Sequence, residues 1–552
     1  MACDAPHVAA RFGILCLVLL VAFLPVTRAA VQLLLPAGGA TAMARLHVGG
    51  MELLVVAAML FDRRMTIPSL RLLPGAVLVL LAGWLVWGVA AVAISAVPGM
   101  AMARQVEWLT HAVFGWAVWS FLRTYPGHAG TVLRWLVRGF LIYGVLLAFF
   151  LLNLPQPQTY PWINGILGFA NVRHFGYYAA VVLVAAHWPL LLPSSAAGRV
   201  GQTILLAVIW GFLAWSGSRG PIFAVFGALA VLTAARGLPD ARRLWGLTLL
   251  AFVIGAAASV PFTPPNGSFG ILRFAETLQQ AGSLSQYSAS RTDFWSIAWD
   301  LVKQHPLLGL GPDQLLVGGA VGRFHGFVQP HDVLLQAALE WGIPGALMFL
   351  GVIAAALLAG LRKARAHGAA GHQVIGLWMA GMLTALALID GTYYHALPLM
   401  TLALGLALAL APARAAPAGI VRRRPRVFTV LAGGCTLLTL LSAAALGALL
   451  AVGTPAPGSW RVRLVQTYAS PMALLGAGTR LDRWALDWAA TDRDAADSLL
   501  DWTAGHSRTP WTSQAAKAEI MIASGETAAG HRLLQAARAR ELAVTGRVAA
   551  ED

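Results

Sequence analysis

The sequence is poor in charge. Only 11% of its 552 residues are charged and 58% are hydrophobic, whereas soluble globular domains carry about 25% charged residues. This deficit excludes an ordinary soluble enzyme. Long apolar segments explain it, because a helix needs about 20 mostly apolar residues to cross a bilayer.

Two further absences exclude whole classes of chemistry. The chain has three cysteines, Cys3, Cys16 and Cys435, and no CxxC pair, which excludes a disulfide framework and argues against a zinc site. It has no Walker phosphate loop and no GxGxxG motif opening a βαβ unit. ATP-driven pumping and dinucleotide chemistry therefore lack their usual signatures. We expect no cofactor and no metal.

Acidic residues are scarce over most of the chain. Up to Gly458 there are 28 Lys and Arg against 12 Asp and Glu, and from Ser459 onward there are 11 of each, so the first part carries the whole net charge of +16. A basic stripe would suggest nucleic acid. Here the basic residues flank apolar segments, where they act as topology signals, and we expect no nucleic-acid partner.

We interpret thirteen apolar segments as membrane spans. Their approximate limits are 12–34, 48–61, 73–97, 105–122, 138–154, 174–193, 201–216, 221–235, 244–262, 333–361, 373–392, 397–412 and 427–452. The first has features of a signal peptide, with Arg11 before the apolar run and small residues at Ala29-Ala30. Because the apolar stretch resumes at once, a retained anchor is favoured.

The basic residues predict the orientation. With the N-terminus in the cytoplasm, the cytoplasmic flanks hold 19 Lys and Arg and the other side holds 9, as the positive-inside rule requires. An odd number of spans then places the C-terminus in the periplasm. The nine residues are Arg28, Arg45, Arg104, Arg173, Arg219, Arg273, Arg291, Lys303 and Arg323.

The sequence thus predicts an all-α polytopic protein of the cell inner membrane, with the site facing the periplasm. Its parts are predicted to be N-terminal transmembrane helices over 1–262, a large periplasmic loop over 263–330, C-terminal transmembrane helices over 331–453 and a small helical periplasmic tail over 454–552. Within the tail, Ala515–Arg540 is predicted to form two helices broken at Gly525.

Two arginines stand at predicted helix starts on the periplasmic side. Arg219 follows Ser218 in Ser216-Gly-Ser-Arg-Gly-Pro221, a break where hydroxyls and a guanidinium would meet an anion at a helix N-terminus. Arg291 opens a stretch that predicts a short helix on the membrane surface, ended by Gly309–Pro312. A headgroup anchor or a solvated side chain is the plainer explanation of each arginine.

The remaining candidates come from three other segments. His331 precedes the tenth span, with Glu340 nine residues on, and a histidine beside a carboxylate can act as a general base near neutral pH. Asp332 is expected to orient or to cap, and Arg173 to bind an anion. The turn after the eleventh span offers further substrate-binding candidates, although an aromatic belt would also explain its tyrosines. They are Asp390, Tyr393, Tyr394 and His395.

Several arginines without an acidic metal cluster suit a diphosphate leaving group, because arginine binds phosphate bidentately and keeps its charge. The charge that develops as the phosphate–sugar bond breaks would be stabilised without a metal. A nearby histidine would take the proton of an acceptor hydroxyl. The residues therefore indicate transfer of a group from a lipid pyrophosphate on the periplasmic side.

Together, these motifs resemble the signature of the O-antigen ligase / Wzy polymerase superfamily. They are Ser218-Arg-Gly220, Pro306-Leu-Leu-Gly-Leu-Gly-Pro312, His331-Asp332 and Glu340-Trp-Gly-Ile-Pro-Gly345, within about 165–400. The resemblance implies a GT-C-like membrane glycosyltransferase whose donor is an undecaprenyl-diphosphate-linked glycan. It implies that Arg219 and Arg291 hold the diphosphate and that His331 binds or deprotonates the acceptor.

The chain departs from the family in two respects. Asp332 stands where members usually have Asn or Ser, which leaves the acceptor chemistry open. The thirteenth span and the tail resemble those of polymerase-like and protein-glycosylating members more than a twelve-span ligase. The acceptor is therefore lipid A-core, as in lipopolysaccharide biosynthesis, a second glycan chain, or a protein hydroxyl, with lipid A-core favoured narrowly.

A lipid or solute transporter is the alternative from another class. It would need polar residues within the spans and helices broken at the midplane. The span interiors are expected to be nearly free of charge, which favours chemistry at the membrane surface over transport. A scaffold that acts through its tail would explain the tail but not the arginines.

Overall fold

The structure is a computed structural model. It describes residues 5–34, 40–62, 65, 75–157, 159–169, 171–192, 195–236, 241–263, 270–271, 291–319, 328–366, 369–413, 426–451, 453–469, 478–507 and 509–545. Within these ranges the regular structure is helical, without a strand. The predicted all-α class is confirmed.

Ten helices precede the predicted periplasmic loop in the described part of the chain. They are α1 (Ala5–Leu34), α2 (Ala40–Phe61), α3 (Gly75–Ala93), α4 (Pro98–Thr124), α5 (Ala129–Leu152), the single turn α6 (Trp162–Gly165), α7 (Val172–Ala186), α8 (Ala196–Trp215), α9 (Arg219–Arg236) and α10 (Ala241–Ser259).

Ten more helices follow in the described residues. They are α11 (Arg291–Gln304), α12 (Val333–Arg365), α13 (Gly371–Ala387), α14 (Ala396–Leu410), α15 (Arg426–Leu450), the short α16 (Trp460–Leu464), α17 (Gly478–Trp488), α18 (Arg493–Ala504), α19 (Pro510–Ala523) and α20 (Thr527–Thr545).

Each predicted apolar segment coincides with one of these helices. Among the described residues, seven helices are long and apolar enough to cross a membrane, and four further apolar helices are shorter. The chain is therefore a multi-pass membrane protein. The helices α4 and α13 fall outside both groups, and α4 carries buried charged residues, Arg104 and Glu107 among them.

Two of the motifs that resemble the family, Pro306–Pro312 and Glu340–Gly345, are in close contact in the fold. Gly342 interrupts α12 with φ 68°, and Ile343 N donates to Pro306 O at 2.8 Å. A Cβ atom on Gly342 would lie 2.0 Å from Leu307 O, and one on Gly309 would lie 2.4 Å from Leu339 O. The backbones approach too closely for any other residue at either position. This contact fixes the segment after α11 against the start of α12.

The tail packs as helical hairpins against the membrane part. Gly525, with φ 93°, separates α19 from α20, as predicted. Arg540 donates a hydrogen bond to Val317 O. Trp511 is 2% exposed and belongs to a small apolar cluster that contacts Leu316. The tail thus rests on the turn at 315–319 that follows α11.

Candidate active site

Asp390 joins two of the predicted catalytic residues. Its Oδ2 accepts a hydrogen bond from Arg291 Nη2 at 3.2 Å, and its Oδ1 lies 2.9 Å from His331 Nδ1. The exposed side-chain fractions are 24% for Arg291, 15% for His331 and 10% for Asp390. Residues from three separate segments therefore form one partly accessible cluster, which we call the Asp390 cluster.

Local structure places each member of the Asp390 cluster. Arg291 is the first residue of α11, and Trp295 Nε1, one turn later, donates to Pro330 O at 3.1 Å. That bond ties α11 to the residue before His331. Asp390 begins the turn between α13 and α14, and Gly391 N donates to its Oδ1 at 2.8 Å.

His331 has a left-handed backbone. Its φ is 56°, a conformation that costs a non-glycine residue about 1–2 kcal/mol. The next residue, Asp332, caps α12 by accepting a hydrogen bond from Leu335 N at 2.8 Å. Strained backbone persists where neighbouring contacts hold it, often at functional sites. Here the cap on one side and Asp390 on the other hold the imidazole in place.

The Asp390 carboxylate stays ionised. Burial alone would raise the pKa of Asp390, but the hydrogen bond from His331 and the charges of Arg291 and Arg173 hold that pKa well below its usual range. An ionised carboxylate accepts hydrogen bonds only, so His331 carries a proton on Nδ1. In neutral imidazole, Nε2 then bears the lone pair that can accept a proton.

His395 lies beside the Asp390 cluster and stays neutral. Its ring centroid is 3.8 Å from that of His174, and Gln329 Nε2 lies 3.3 Å from its Nε2. Burial, then the nearby His174 and Arg45, hold the pKa of His395 well below its usual range. A neutral, hydrogen-bonded imidazole at this place can orient a polar group but adds no charge.

Arg173 and the Ser218-Arg219 break lie close together. Asn171 caps α7 by accepting a hydrogen bond from Arg173 N at 2.8 Å. Ser218 Oγ donates to Val172 O at 3.3 Å, and a Cβ on Gly176 would lie 2.5 Å from Ser218 Cβ. The break before α9 is therefore packed against the first turn of α7, where Arg173 acts electrostatically on Asp390.

Tyr393 and Tyr394 are turned into the protein. Both are at most 3% exposed, and their carbonyls bind two arginines. Arg104 Nη2 donates to Tyr393 O at 3.0 Å, and Arg45 Nη2 donates to Tyr394 O at 2.8 Å. The turn that carries Asp390 is therefore held from inside the helical core.

These arginines belong to a buried group of charges from α2, α4, α12 and the 313 turn. Arg104 Nη1 lies 2.7 Å from Glu107 Oε2, and Arg45 Nη1 lies 3.7 Å from Asp313 Oδ2. We call the group the buried ion cluster. Its members are Arg45, Arg104, Glu107, Asp313 and Glu340, each at most 4% exposed.

The buried ion cluster corrects two expectations. Glu340 is not the carboxylate beside His331. Its Oε1 lies 3.6 Å from Arg104 Nε. Glu340 comes seven residues after Val333, the first residue of α12, and therefore lies about 10 Å along the helix axis from the helix start. The span interiors are also not nearly free of charge, since Arg104, Glu107, Glu52 and His111 are all buried within α2 and α4.

Sequence reasoning missed Arg45 and Arg104 as functional candidates. Both were counted only as basic residues on the periplasmic side. The signal that was present is the i,i+3 spacing of Arg104 and Glu107 at the start of the predicted span 105–122, since charges at membrane depth are kept only with a partner or a function. In the described part of the chain, no three His, Cys, Asp or Glu side chains are arranged to hold a metal ion.

Comparison with known proteins points to one family. No curated protein was found to be similar to the chain. Residues 204–350 match the family model described as O-antigen ligase, a segment that includes Arg219, Arg291 and His331 but not Arg173 or Asp390. The match supports a glycosyltransferase-type enzyme. It confirms the resemblance to the O-antigen ligase / Wzy polymerase superfamily that the motifs indicated.

Proposed function

We propose that the protein transfers a glycan from undecaprenyl diphosphate to an acceptor hydroxyl at the periplasmic face of the inner membrane. Ligation of O-antigen to lipid A-core is the favoured reaction. The observation that carries the proposal is the Asp390 cluster, which puts a predicted phosphate-binding arginine and a predicted general base on the same carboxylate. The family match over the segment holding Arg291 and His331 supports it.

In the proposed reaction, the acceptor oxygen attacks the anomeric carbon of the donor. The bond from that carbon to the phosphate oxygen breaks, and its electron pair leaves with the polyprenyl diphosphate. Arg219 and Arg291, with Arg173 nearby, bind the diphosphate and stabilise the developing charge. His331 Nε2 takes the hydroxyl proton, while Asp390 orients the ring through Nδ1.

The remaining candidates have supporting roles in this proposal. Asp332 holds the start of α12 and thereby His331. Ser218 fixes the break that presents Arg219. Tyr393 and Tyr394 support the Asp390 turn through their carbonyls rather than touching substrate, and His395 orients a polar group of donor or acceptor.

One observation favours the transporter alternative. The buried ion cluster supplies the polar residues within helices that a transporter would need. It is nevertheless bonded to the carbonyls of Tyr393 and Tyr394, next to the Asp390 turn. This placement indicates that the buried ion cluster supports the candidate active site.

A direct assay tests the proposal. Purified protein is supplied with a polyprenyl-diphosphate oligosaccharide and lipid A-core in the presence of EDTA, and glycosylated product is followed on a gel. We expect product from the wild type and from Lys303→Ala, a control on α11 whose side chain is 59% exposed. We expect none from Arg291→Ala or His331→Ala.

The acceptor is tested in the same assay. If lipid A-core gives no product but the donor lengthens, or a protein is labelled, the site stands and the acceptor changes to a glycan chain or a protein. If all three acceptors remain unmodified, glycan transfer is contradicted and transport becomes the better account.

A further inference from the structure

Arg28, near the end of α1, is a buried cation for which the described residues supply no anion. The residue is 9% exposed, and its Nε is buried without a hydrogen-bond partner. In the described part of the chain, no carboxylate forms an ion pair with it. Its guanidinium lies over the ring of Phe169, 5.4 Å from the centroid.

An arginine in this state is costly. Arginine keeps its charge at physiological pH, and a buried charge is stable only when it is paired. An arginine that merely anchored α1 at the headgroups would extend its charged end into water, whereas Arg28 is nine-tenths buried. The geometry thus calls for an anion that binds from outside the chain.

A series of neighbouring residues connects Arg28 with the candidate active site. Gly168 packs against α1, since a Cβ on it would lie 2.9 Å from Pro25 O, and the segment 166–169 runs into the start of α7. Arg28 and Arg173 both act electrostatically on His174. His174 in turn contacts His395. Asp390, the nearby carboxylate, is already bonded to Arg291 and His331.

We propose that Arg28 is a further phosphate-binding residue of the site and that its ligand is the diphosphate of the lipid-linked donor. This inference rests on the proposed function and adds a residue from α1 to the arginines assigned there. A lipid-borne diphosphate lies at headgroup depth, and Arg28 stands within the last two turns of α1, which ends at Leu34, on the predicted periplasmic side.

Binding of farnesyl diphosphate, a soluble short polyprenyl diphosphate, tests the proposal. Full-length protein in detergent is titrated, and tryptophan fluorescence reports both the Kd and the unfolding temperature. We expect Arg28→Gln to weaken binding about tenfold or more, since charge-assisted hydrogen bonds to phosphate are strong. The matched control is Arg11→Gln, an exposed arginine on the same helix, which should bind like the wild type.

Ligand-free stability separates binding from a structural role. Removing an unpaired buried charge should leave the unfolding temperature of Arg28→Gln unchanged or higher. A wild-type Kd for Arg28→Gln would overturn the proposal. So would a lower unfolding temperature of the ligand-free variant, or an unchanged Kd together with a raised KM for the acceptor.

The proposed function is checked separately by the Arg219→Ala/Arg291→Ala double variant. If that variant binds farnesyl diphosphate like the wild type, the phosphate site of the proposed function fails. If it loses binding while Arg28→Gln keeps it, only the assignment of Arg28 fails.

Discussion

Asp390 is the residue through which the proposed general base and a proposed phosphate-binding arginine are connected. Replacing it by asparagine keeps the size but removes the charge that orients His331. We predict that Asp390→Asn lowers the rate of glycan transfer on the order of a hundredfold, the lower range of what acid–base catalysis contributes. The measurement is single-turnover product formation at saturating donor, and a wild-type rate would contradict the role.

Asp390 should also make the stability of the protein depend on pH. Because the pKa of Asp390 is held well below its usual range, its stabilising contribution is fully present above the unfolded-state pKa of about 3.9 and is lost as the pH falls further. The gap in unfolding temperature between wild type and Asp390→Asn should therefore not narrow from pH 8 to pH 5 and should narrow below about pH 4. A gap that narrows already between pH 8 and pH 6 would contradict this.

Replacing Arg104 tests how much the buried ion cluster contributes to stability. Arg104→Gln removes the arginine that pairs with Glu340 and one of the two arginines that pair with Glu107, and breaking a buried pair costs about 3–5 kcal/mol. We predict a clearly lower unfolding temperature, partly restored in the Arg104→Gln/Glu107→Gln double variant because the two sites are coupled. Arg123→Gln, at the other end of α4, is the control. Strictly additive effects of the two substitutions would argue against a paired cluster.

For individual residues, the sequence predicted which side chains belong to the candidate site but not which of them contact one another. Arg291, His331 and Asp390 were chosen for their chemistry at span ends, and the structure brings them together. Their contact could not be predicted, since it joins residues up to 99 positions apart. The roles assigned to the ten candidate residues stay predictions.

At the scale of elements, the close contact between the motifs Pro306–Pro312 and Glu340–Gly345 positions the candidate active site. Gly342 has φ 68° and no space for a Cβ beside Leu307 O. Gly342→Ala should destabilise the fold by more than the roughly 1–2 kcal/mol of a left-handed alanine and lower the yield of folded protein. Gly246→Ala, in α10 with open space around it, should be neutral or stabilising by about 0.5–1 kcal/mol. Equal stability of the two variants would contradict the close backbone contact at Gly342.

Apolar periodicity predicted the helices well, because membrane helices must satisfy their backbone internally and be apolar for a fixed length. One boundary was wrong. The helix that starts at Arg291 was expected to end at Gly309–Pro312, but it ends at Gln304. Pro306 follows two residues later, and the residue before a proline avoids helical backbone.

At the scale of the whole molecule, the orientation is the main prediction. With the native cysteines replaced, Lys303→Cys should react with a membrane-impermeant maleimide in intact cells whose outer membrane is permeabilised. Arg134→Cys, an exposed position in a predicted cytoplasmic flank, should react only after lysis. The reverse pattern would place the site in the cytoplasm and contradict a periplasmic reaction.

The packing of the tail was beyond sequence reasoning. The helix pair around Gly525 was predicted from its spacing, but nothing in the sequence indicated that α20 would contact the turn after α11 through Arg540 and Val317. Such contacts depend on how the membrane helices place that turn. The division of the chain at 262, 330 and 453 remains a prediction.

In the proposed reaction, arginines on the periplasmic side hold a diphosphate while a glycan is transferred. The most direct measurement is the amount of glycosylated product formed by the Arg219→Ala/Arg291→Ala double variant, purified and shown to be folded, next to the wild type. We predict product from the wild type and none from the double variant. Product from the double variant at the wild-type rate would contradict it.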